Sequence, residues 1–169
     1  MASPSSFRAV YKVVDGHEID VDVYLPEATA NNDVAHPISE CCRPLGEENS
    51  MLTHHPVINI HGGAFMLGSS DMVNKDQVQD CLDRGWIVLA PNHRLCPQVD
   101  LLDGPMRDCR DLLAWIYGGG LHETVASQTS IPYPLDLDHV FAFGTSSGGT
   151  LALSLVSRQC STAKIRIQH

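Results

Sequence analysis

The sequence predicts a three-layer α/β fold, in which helices cover both faces of a mostly parallel sheet that begins with an antiparallel hairpin. Three observations carry this prediction. Two strand-like segments flank an Asp15-Gly16 turn near the start of the chain, and apolar and polar residues alternate cleanly in the second. Three later segments are short, continuous apolar runs, which is typical of strands buried on both faces. Segments with helical spacing alternate with these runs, as they do when helices connect parallel strands.

The hairpin is predicted to pair residues 7–14 with residues 17–25. Apolar residues occupy alternate positions of the second strand, so we expect one buried face and one wet face. Pro26 ends this strand. Residues 27–55 are polar and lack periodicity, so they are expected to form a long loop.

The rest of the chain is predicted to alternate strands with helices, within a single domain that spans residues 1–169. Predicted strands cover residues 57–60, 86–90 and 140–144, and predicted helices cover residues 72–84, 106–117 and 148–158. Residues 121–138 are expected to be a polar connection, and residues 163–169 are expected to begin a further strand.

The composition argues against several classes of partner. A net charge of −9 disfavours nucleic acid, because phosphate binding needs clustered Lys and Arg. No run approaches the ~18 apolar residues of a membrane span, and the N-terminus lacks the apolar core of a signal peptide. Reduced thiols and a cytoplasmic location are expected, because there is no CxxC pair and four cysteines lie among apolar residues: Cys81, Cys96, Cys109 and Cys160. The histidines show neither HExxH nor HxH spacing, so no metal and no cofactor is predicted.

The strongest chemical signal is the segment GTSSGG, residues 144–149, which lies between a predicted strand and an apolar helix. A serine on a tight strand-to-helix turn is held in strained geometry, and small neighbours let the turn close. The turn would place the Ser146 hydroxyl above the carboxyl edge of the sheet, at a helix N-terminus that favours developing negative charge. We therefore interpret Ser146 as a catalytic nucleophile. The alternative is a turn in which Ser146 or Ser147 only caps the helix.

The second signal is His61-Gly62-Gly63, directly after the predicted strand at residues 57–60. Acyl transfer needs backbone N–H groups that hold the oxyanion of a tetrahedral intermediate. Two glycines after a strand allow such a close approach, because no side chain stands in the way. The candidate oxyanion donors are the N–H groups of Gly62, Gly63 and Ser147, the residue after the nucleophile. The alternative is an ordinary strand-to-helix turn.

Together, four segments of the chain resemble the hormone-sensitive-lipase-like branch of the α/β-hydrolases: HPVINIHGGAF, WIVLAPNHRLCPQ, DGPMRDCRDLLAWI and VFAFGTSSGGTLAL. The resemblance covers about residues 17–160. It implies a serine hydrolase that cleaves small carboxylic esters through an acyl-enzyme intermediate on Ser146. It also implies that the strands VINI and VFAF are neighbours at the centre of the sheet.

The sequence departs from that family pattern at four positions. Ala64 replaces the third glycine of the oxyanion loop. This change has little effect on oxyanion binding if backbone N–H groups are the donors. Thr145 and Ser147 replace the usual Asp and Ala around the nucleophile, and His93 stands where Tyr is usual. The residues around Ser146 stay small, so the turn can still close.

The acid and the base of the triad are not found where this fold places them, which is after the nucleophile. Beyond Ser146 there is no Asp or Glu, and His169 is the only histidine. We therefore expect a chain truncated after the elbow, which alone has little or no activity. A base from His61 or His93, near the same sheet edge, is conceivable. The rival hypothesis is a non-catalytic relic of the fold that binds a ligand or a protein.

Overall fold

The computed structural model describes residues 5–27 and 53–155, in which five strands form one sheet in the order β1-β2-β4-β3-β5. The strands are β1 (Ser5–Val14), β2 (His17–Leu25), β3 (Pro56–Ile60), β4 (Ile87–Pro91) and β5 (Phe141–Gly144). The helices are α1 (Lys75–Asp83), α2 (Arg107–Tyr117), α3 (Gly120–Gln128) and α4 (Ser147–Ser154). Most of the predicted loop, the end of the last predicted helix, the predicted final strand and Cys160 lie outside the described residues.

The N-terminal hairpin is confirmed. Strands β1 and β2 pair antiparallel, and Asp15 and Gly16 both have positive φ, at 51° and 79°, as a type I′ turn requires. The prediction that one face of β2 is exposed to solvent is wrong at one end of the strand. Tyr24 on that face is only 8% exposed, because it packs against α1, and Lys75 donates a 2.8 Å hydrogen bond to its hydroxyl.

The three apolar runs form adjacent parallel strands, as predicted, but within the described residues β5 lies at the edge of the sheet and not at its centre. Strand β3 pairs in parallel with β4 on one side and with β5 on the other, so VINI and VFAF are indeed neighbours. Successive side chains of a strand point to opposite faces. Ile58 therefore packs in the core formed with α2, α3 and α4, whereas Val57 packs in the core formed with α1. Helices on both faces give the predicted three layers.

Helix α1 begins three residues later than predicted. Residues 70–72 form a short 3-10 turn, and Asn74 then caps the helix by accepting hydrogen bonds from the N–H groups of Asp76 and Gln77. Asn is a preferred capping residue, and it decides the boundary here. The predicted end is close to the observed one, since Gly85 follows the helix with a φ of 75°.

Helix α3 was not predicted, because it lies in the segment expected to be a polar connection. Only Leu121 and Val125 of this helix are buried, one turn apart. A single apolar pair at that spacing is too weak a periodic signal to identify a helix. Packing of this pair into the core with α2 stabilises the helix.

The described cysteines are consistent with the predicted reduced thiols. Cys81, Cys96 and Cys109 are unpaired, and burial raises the pKa of Cys109 to about 12. In the described ranges, no helix combines the length and the apolar character needed to cross a bilayer.

Candidate active site

The two predicted chemical motifs meet at one edge of the sheet. Strands β3 and β5 are parallel neighbours, so the loop after β3 and the turn after β5 emerge at the same end. Residues Gly62 and Gly63 lie on the first of these, and Ser146 on the second. The N–H of Thr145 donates to the carbonyl of Ile60 across 3.2 Å, which joins the two connections at their starting points.

Ser146 has the strained backbone expected of a nucleophile on a strand-to-helix turn. Its φ is 55° and its ψ is −120°, a region that side-chain-bearing residues rarely adopt. It occupies the cap position of α4, yet among the described residues its side chain makes no capping hydrogen bond. The residue is exposed. Its hydroxyl is therefore presented to solvent at the helix N-terminus, and the simple capping role for Ser146 is not observed.

Glycine allows the elbow to close against β3. A Cβ on Gly148 would lie 2.1 Å from the carbonyl oxygen of Ile60, and a Cβ on Gly144 would lie 2.5 Å from the same oxygen. Real side chains do not approach a backbone oxygen so closely. These two positions therefore need glycine for packing, independently of any chemistry.

Gly62 lies directly against Ser146. A Cβ at this position would lie 2.9 Å from the carbonyl oxygen of Thr145 and 3.4 Å from the Cβ of Ser146. The backbone of the loop can therefore come close to the carbonyl group of a substrate on Ser146 without a side chain between them. Gly62 therefore remains a candidate oxyanion donor.

The loop that carries Gly63 is itself strained. Gly63 has a φ of 125°, and Ala64 and Phe65 have φ values of 53° and 62°. The carbonyl of Gly63 accepts hydrogen bonds from Met66 and Leu67, at 2.9 and 3.1 Å, which close the turn. A Cβ on Gly63 would lie 1.9 Å from the carbonyl oxygen of Leu67, so only glycine fits. Strain of about 1–3 kcal/mol per residue persists only where the surroundings impose it, and it concentrates at functional sites.

Ser147 provides the third candidate donor. It is the first residue of α4 and is 8% exposed. The N–H groups of Gly148 and Gly149 donate to the carbonyls of Thr145 and Ser146, at 2.9 and 3.0 Å. The N–H of Ser147 belongs to the first helical turn, whose amides have no acceptor within the helix.

His61 and His93 come together at this edge, as expected, but they pair with each other. Their rings stack with centroids 4.5 Å apart and planes 7° from parallel. Nδ1 of His61 is 2.7 Å from the carbonyl oxygen of Gly62, and Nδ1 of His93 is 3.0 Å from that of Arg94. Carbonyl oxygens accept, so both Nδ1 atoms carry the proton. Burial lowers the pKa of His93, which favours its neutral form.

Neither histidine is hydrogen-bonded to Ser146. Within residues 5–27 and 53–155, no side chain hydrogen-bonds the Ser146 hydroxyl. The Nε2 atoms of both rings are buried and have no hydrogen-bond partner in the same ranges. The structure thus brings together Ser146, Gly62, Gly63 and Ser147, and in residues 5–27 and 53–155 no base is hydrogen-bonded to Ser146.

A buried ion-pair cluster that the sequence did not reveal fixes the loop after β4. Asp108 of α2 is fully buried and receives three hydrogen bonds from the side chain of Arg94 and one from its backbone N–H. Lys12 of β1 donates to the same carboxylate at 2.6 Å. Burial alone would raise the pKa of Asp108, but the hydrogen bonds from Arg94 and Lys12 outweigh it and hold the pKa below its usual range. The three residues are 96 positions apart at most, so no local pattern connects them.

The chain matches a known family over most of its length. The family model described as BD-FAE matches residues 46–163. The chain is 32% identical over 146 residues to the non-reducing polyketide synthase ausA of Emericella nidulans, a match that covers 86% of this chain and 5% of that protein. It is 35% identical over 147 residues to the non-reducing polyketide synthase trt4 of Aspergillus terreus, again covering 86% of this chain and 5% of that protein.

Solved esterases share the fold. A bacterial heroin esterase superposes with a TM-score of 0.64 and 22% identity, covering 96% of this chain and 42% of that one. An arylesterase superposes with a TM-score of 0.64 and 18% identity, covering 98% of this chain and 44% of that one. Esterase 2 of Thermogutta terrifontis superposes with a TM-score of 0.59 and 20% identity, covering 88% of this chain and 45% of that one. The chain spans less than half the length of these enzymes and about a twentieth of the synthases.

The family match, the esterase-like fold and the motifs at the sheet edge agree. The chain belongs to the BD-FAE family, a hormone-sensitive-lipase-like group within the α/β-hydrolases.

Proposed function

We propose that the chain carries the nucleophile and the oxyanion donors of a serine hydrolase that cleaves carboxylic esters through an acyl-enzyme intermediate. Ser146 is the nucleophile, and the N–H groups of Gly62, Gly63 and Ser147 hold the oxyanion. One observation carries the proposal. Ser146 is strained and exposed, and it lies directly against the loop that carries Gly62. A Cβ added to Gly62 would be 3.4 Å from the Cβ of Ser146.

The reaction proceeds in two displacements on the carbonyl carbon. Oγ of Ser146 bonds to that carbon, while the π electrons of the C=O group move onto oxygen. The tetrahedral intermediate re-forms the C=O and expels the alcohol, which leaves with the proton given up by Ser146. Water then attacks the acyl-enzyme in the same way and releases the acid. Each oxyanion donor contributes roughly 3 kcal/mol to transition-state stabilisation.

The proton of Ser146 needs a base. No histidine or carboxylate of residues 5–27 and 53–155 hydrogen-bonds its hydroxyl, so we assign the base to a group outside these ranges. Without it, Ser146 is a weak nucleophile near pH 7.

A fluorophosphonate probe tests the proposal on the gene product as its source organism makes it. Tandem mass spectrometry should find the phosphonyl group on Ser146. Labelling should disappear in Ser146→Ala and persist in Ser130→Ala, a matched change at an exposed serine on another connection. An unlabelled Ser146, or equal labelling of wild type and Ser146→Ala, would refute the nucleophile assignment.

The kind of protein to which the chain is similar suggests an acyl group for this site. The two synthases reported above are polyketide synthases, so we propose a polyketide acyl chain, presented as an ester or a thioester, as the acyl donor. Both linkages offer the same carbonyl carbon to Ser146. Comparing the turnover of a polyketide N-acetylcysteamine thioester with that of p-nitrophenyl acetate tests this choice. A preference for the small acetate would argue against it.

The rival function is a binding domain without turnover. It is favoured by the stacked, mutually paired His61 and His93, which occupy the edge where a base is needed. The two functions differ in one measurement: p-nitrophenyl butyrate hydrolysis by wild type and by Ser146→Ala. Equal rates support the binding domain, whereas a rate lost in Ser146→Ala supports the hydrolase.

A further inference from the structure

Three metal-ligating side chains converge at the opposite end of the sheet from Ser146. His55 directly precedes β3, and Asp136 and His139 lie in the connection that leads to β5. One ligand atom from each residue lies within 4.8 Å of the other two. Because β3 and β5 are parallel neighbours, the segments before them meet at one edge of the sheet, just as the segments after them do.

The side-chain contacts centre on one carboxylate oxygen. Oδ2 of Asp136 is 2.8 Å from Nδ1 of His139 and 3.3 Å from Nδ1 of His55. The first contact is a hydrogen bond, but the second is not. Nδ1 of His55 is buried and has no hydrogen-bond partner among the described residues. A buried imidazole nitrogen thus faces a carboxylate oxygen without bonding to it.

The backbone holds the two segments in place. The N–H of His54 donates to the carbonyl of Pro134 at 2.7 Å, and the N–H of Asp136 donates to the carbonyl of His54 at 3.0 Å. The N–H of Asp138 donates to Oδ1 of Asp136, also at 3.0 Å. This last bond orients the carboxylate and leaves Oδ2 directed to the histidines. Such support of a ligating group is typical of metal centres.

Two of the three ligand separations are close to those around a small divalent cation, and the ligand atoms of His55 and His139 lie within 4.8 Å of each other. Zn²⁺ binds imidazole nitrogen and carboxylate oxygen at about 2.0–2.2 Å in a tetrahedron, which puts neighbouring ligand atoms roughly 3.3 Å apart. The His55–Asp136 pair already has this separation, at 3.3 Å, and the His139–Asp136 pair, at 2.8 Å, must open by about 0.5 Å. The side chain of His139 is 40% exposed, so it is free to move by that amount and leaves room for a solvent ligand.

We propose that His55, Asp136 and His139 form a binding site for Zn²⁺ or a similar divalent transition metal, with a solvent molecule completing the coordination. The set of two imidazoles and one carboxylate matches the donors that such metals prefer. The bound ion would link the connection at residues 134–139 to the start of β3, at the end of the sheet remote from Ser146. This inference departs from the expectation of no metal, and it is independent of the proposed hydrolase.

The experiment measures zinc binding to the full chain after removal of metals with EDTA and with the thiols kept reduced. Isothermal titration with ZnCl₂ should find one equivalent bound, and the melting temperature should rise with zinc. Asp136→Asn and His139→Ala should each weaken binding at least ~10-fold and abolish the thermal shift. His122→Ala, an exposed histidine of α3, is the matched control and should bind as wild type does.

Two further readouts cover variants that fold poorly. Co²⁺ bound to the wild-type chain should show ligand-field bands without thiolate charge-transfer bands, because no cysteine belongs to the site. Zinc should also protect His55 and His139, but not His122, from diethyl pyrocarbonate, as mapped by mass spectrometry. The proposal is overturned by an absence of zinc binding, by equal affinity in the variants and the control, by thiolate bands, or by modification of His139 at an unchanged rate in zinc.

Discussion

The backbone N–H of Thr145 donates a hydrogen bond to the carbonyl of Ile60, with 3.2 Å between the two atoms. This bond connects the last residue of β3 to the residue before Ser146. It sets the distance between Ser146 and the loop that begins at His61, because each lies one residue beyond the bonded pair. The glycines on either side of this bond should therefore affect chemistry and stability in different ways.

Gly62→Ala should impair the chemistry more than the fold. The added Cβ would lie 2.9 Å from the carbonyl oxygen of Thr145, so the loop must shift by several tenths of an ångström. Small displacements of oxyanion donors are costly, and we expect a roughly 10–100-fold slower reaction of Ser146 with a fluorophosphonate. The labelling rate is the measurement.

Gly118→Ala is the matched control for that change. Gly118 ends α2 with a negative φ of −74°, and its added Cβ would meet the Ala114 carbonyl at 3.1 Å, far from the site. Its labelling rate should match that of wild type. If Gly62→Ala also reacted at the wild-type rate, Gly62 would not belong to the oxyanion site.

Gly148→Ala should impair the fold. Its Cβ would lie 2.1 Å from the carbonyl oxygen of Ile60, and both groups are backbone-anchored, so α4 must move away from β3. We expect a loss of about 3 kcal/mol in the free energy of unfolding, the upper end for overpacking. Urea denaturation measures it. The adjacent Gly149→Ala, whose Cβ would meet only the Gly144 carbonyl at 3.2 Å, should lose less than about 1 kcal/mol. Equal losses would contradict this packing argument.

Ser146→Gly should stabilise the chain relative to Ser146→Ala. At a φ of 55° a side chain is strained, whereas glycine adopts positive φ freely. The difference in unfolding free energy should be about 1 kcal/mol in favour of glycine, although both variants lack the Ser146 hydroxyl. Chemical denaturation of the two variants, side by side, measures this difference. If alanine were as stable as glycine, the elbow would not be strained in solution.

Asp108→Asn should destabilise the chain in a pH-dependent manner. Removing the charge leaves the partly buried Arg94 without its carboxylate and leaves Lys12 with Asp111 alone, which costs roughly 3 kcal/mol near pH 7. The folded-state pKa of Asp108 lies below the unfolded value of about 3.9, so the contribution is fully present above that pH. It is lost as the pH falls through the folded-state pKa.

Urea midpoints of wild type and Asp108→Asn, measured from pH 7 down to pH 3, check this prediction. The difference in urea midpoint between wild type and Asp108→Asn should decrease below about pH 4. Glu18→Gln, at an exposed residue of β2, is the control and should stay close to wild type throughout. A gap that is constant with pH would show that Asp108 does not titrate below its usual range.

Local patterns were sufficient for most of the fold. The hairpin around Asp15 and Gly16, the three parallel apolar strands and the pairing of VINI with VFAF follow from residue alternation, turn chemistry and apolar runs. Helix α3 could not be predicted, because its stability comes from burying Leu121 and Val125 against α2 rather than from its own periodicity. The burial of Tyr24 was missed for the same reason, since α1 covers that face of β2.

The sequence by itself determined the elements, their order and the identity of the residues around Ser146, because these depend on interactions between near neighbours in the chain. Only the tertiary structure decided which distant residues meet. It stacked His61 on His93 instead of presenting either to Ser146, buried Asp108 against Lys12 and Arg94, and brought His55 to Asp136 and His139. The physical reason is that two parallel strands align both their ends, so segments far apart in the chain come together at each edge of the sheet.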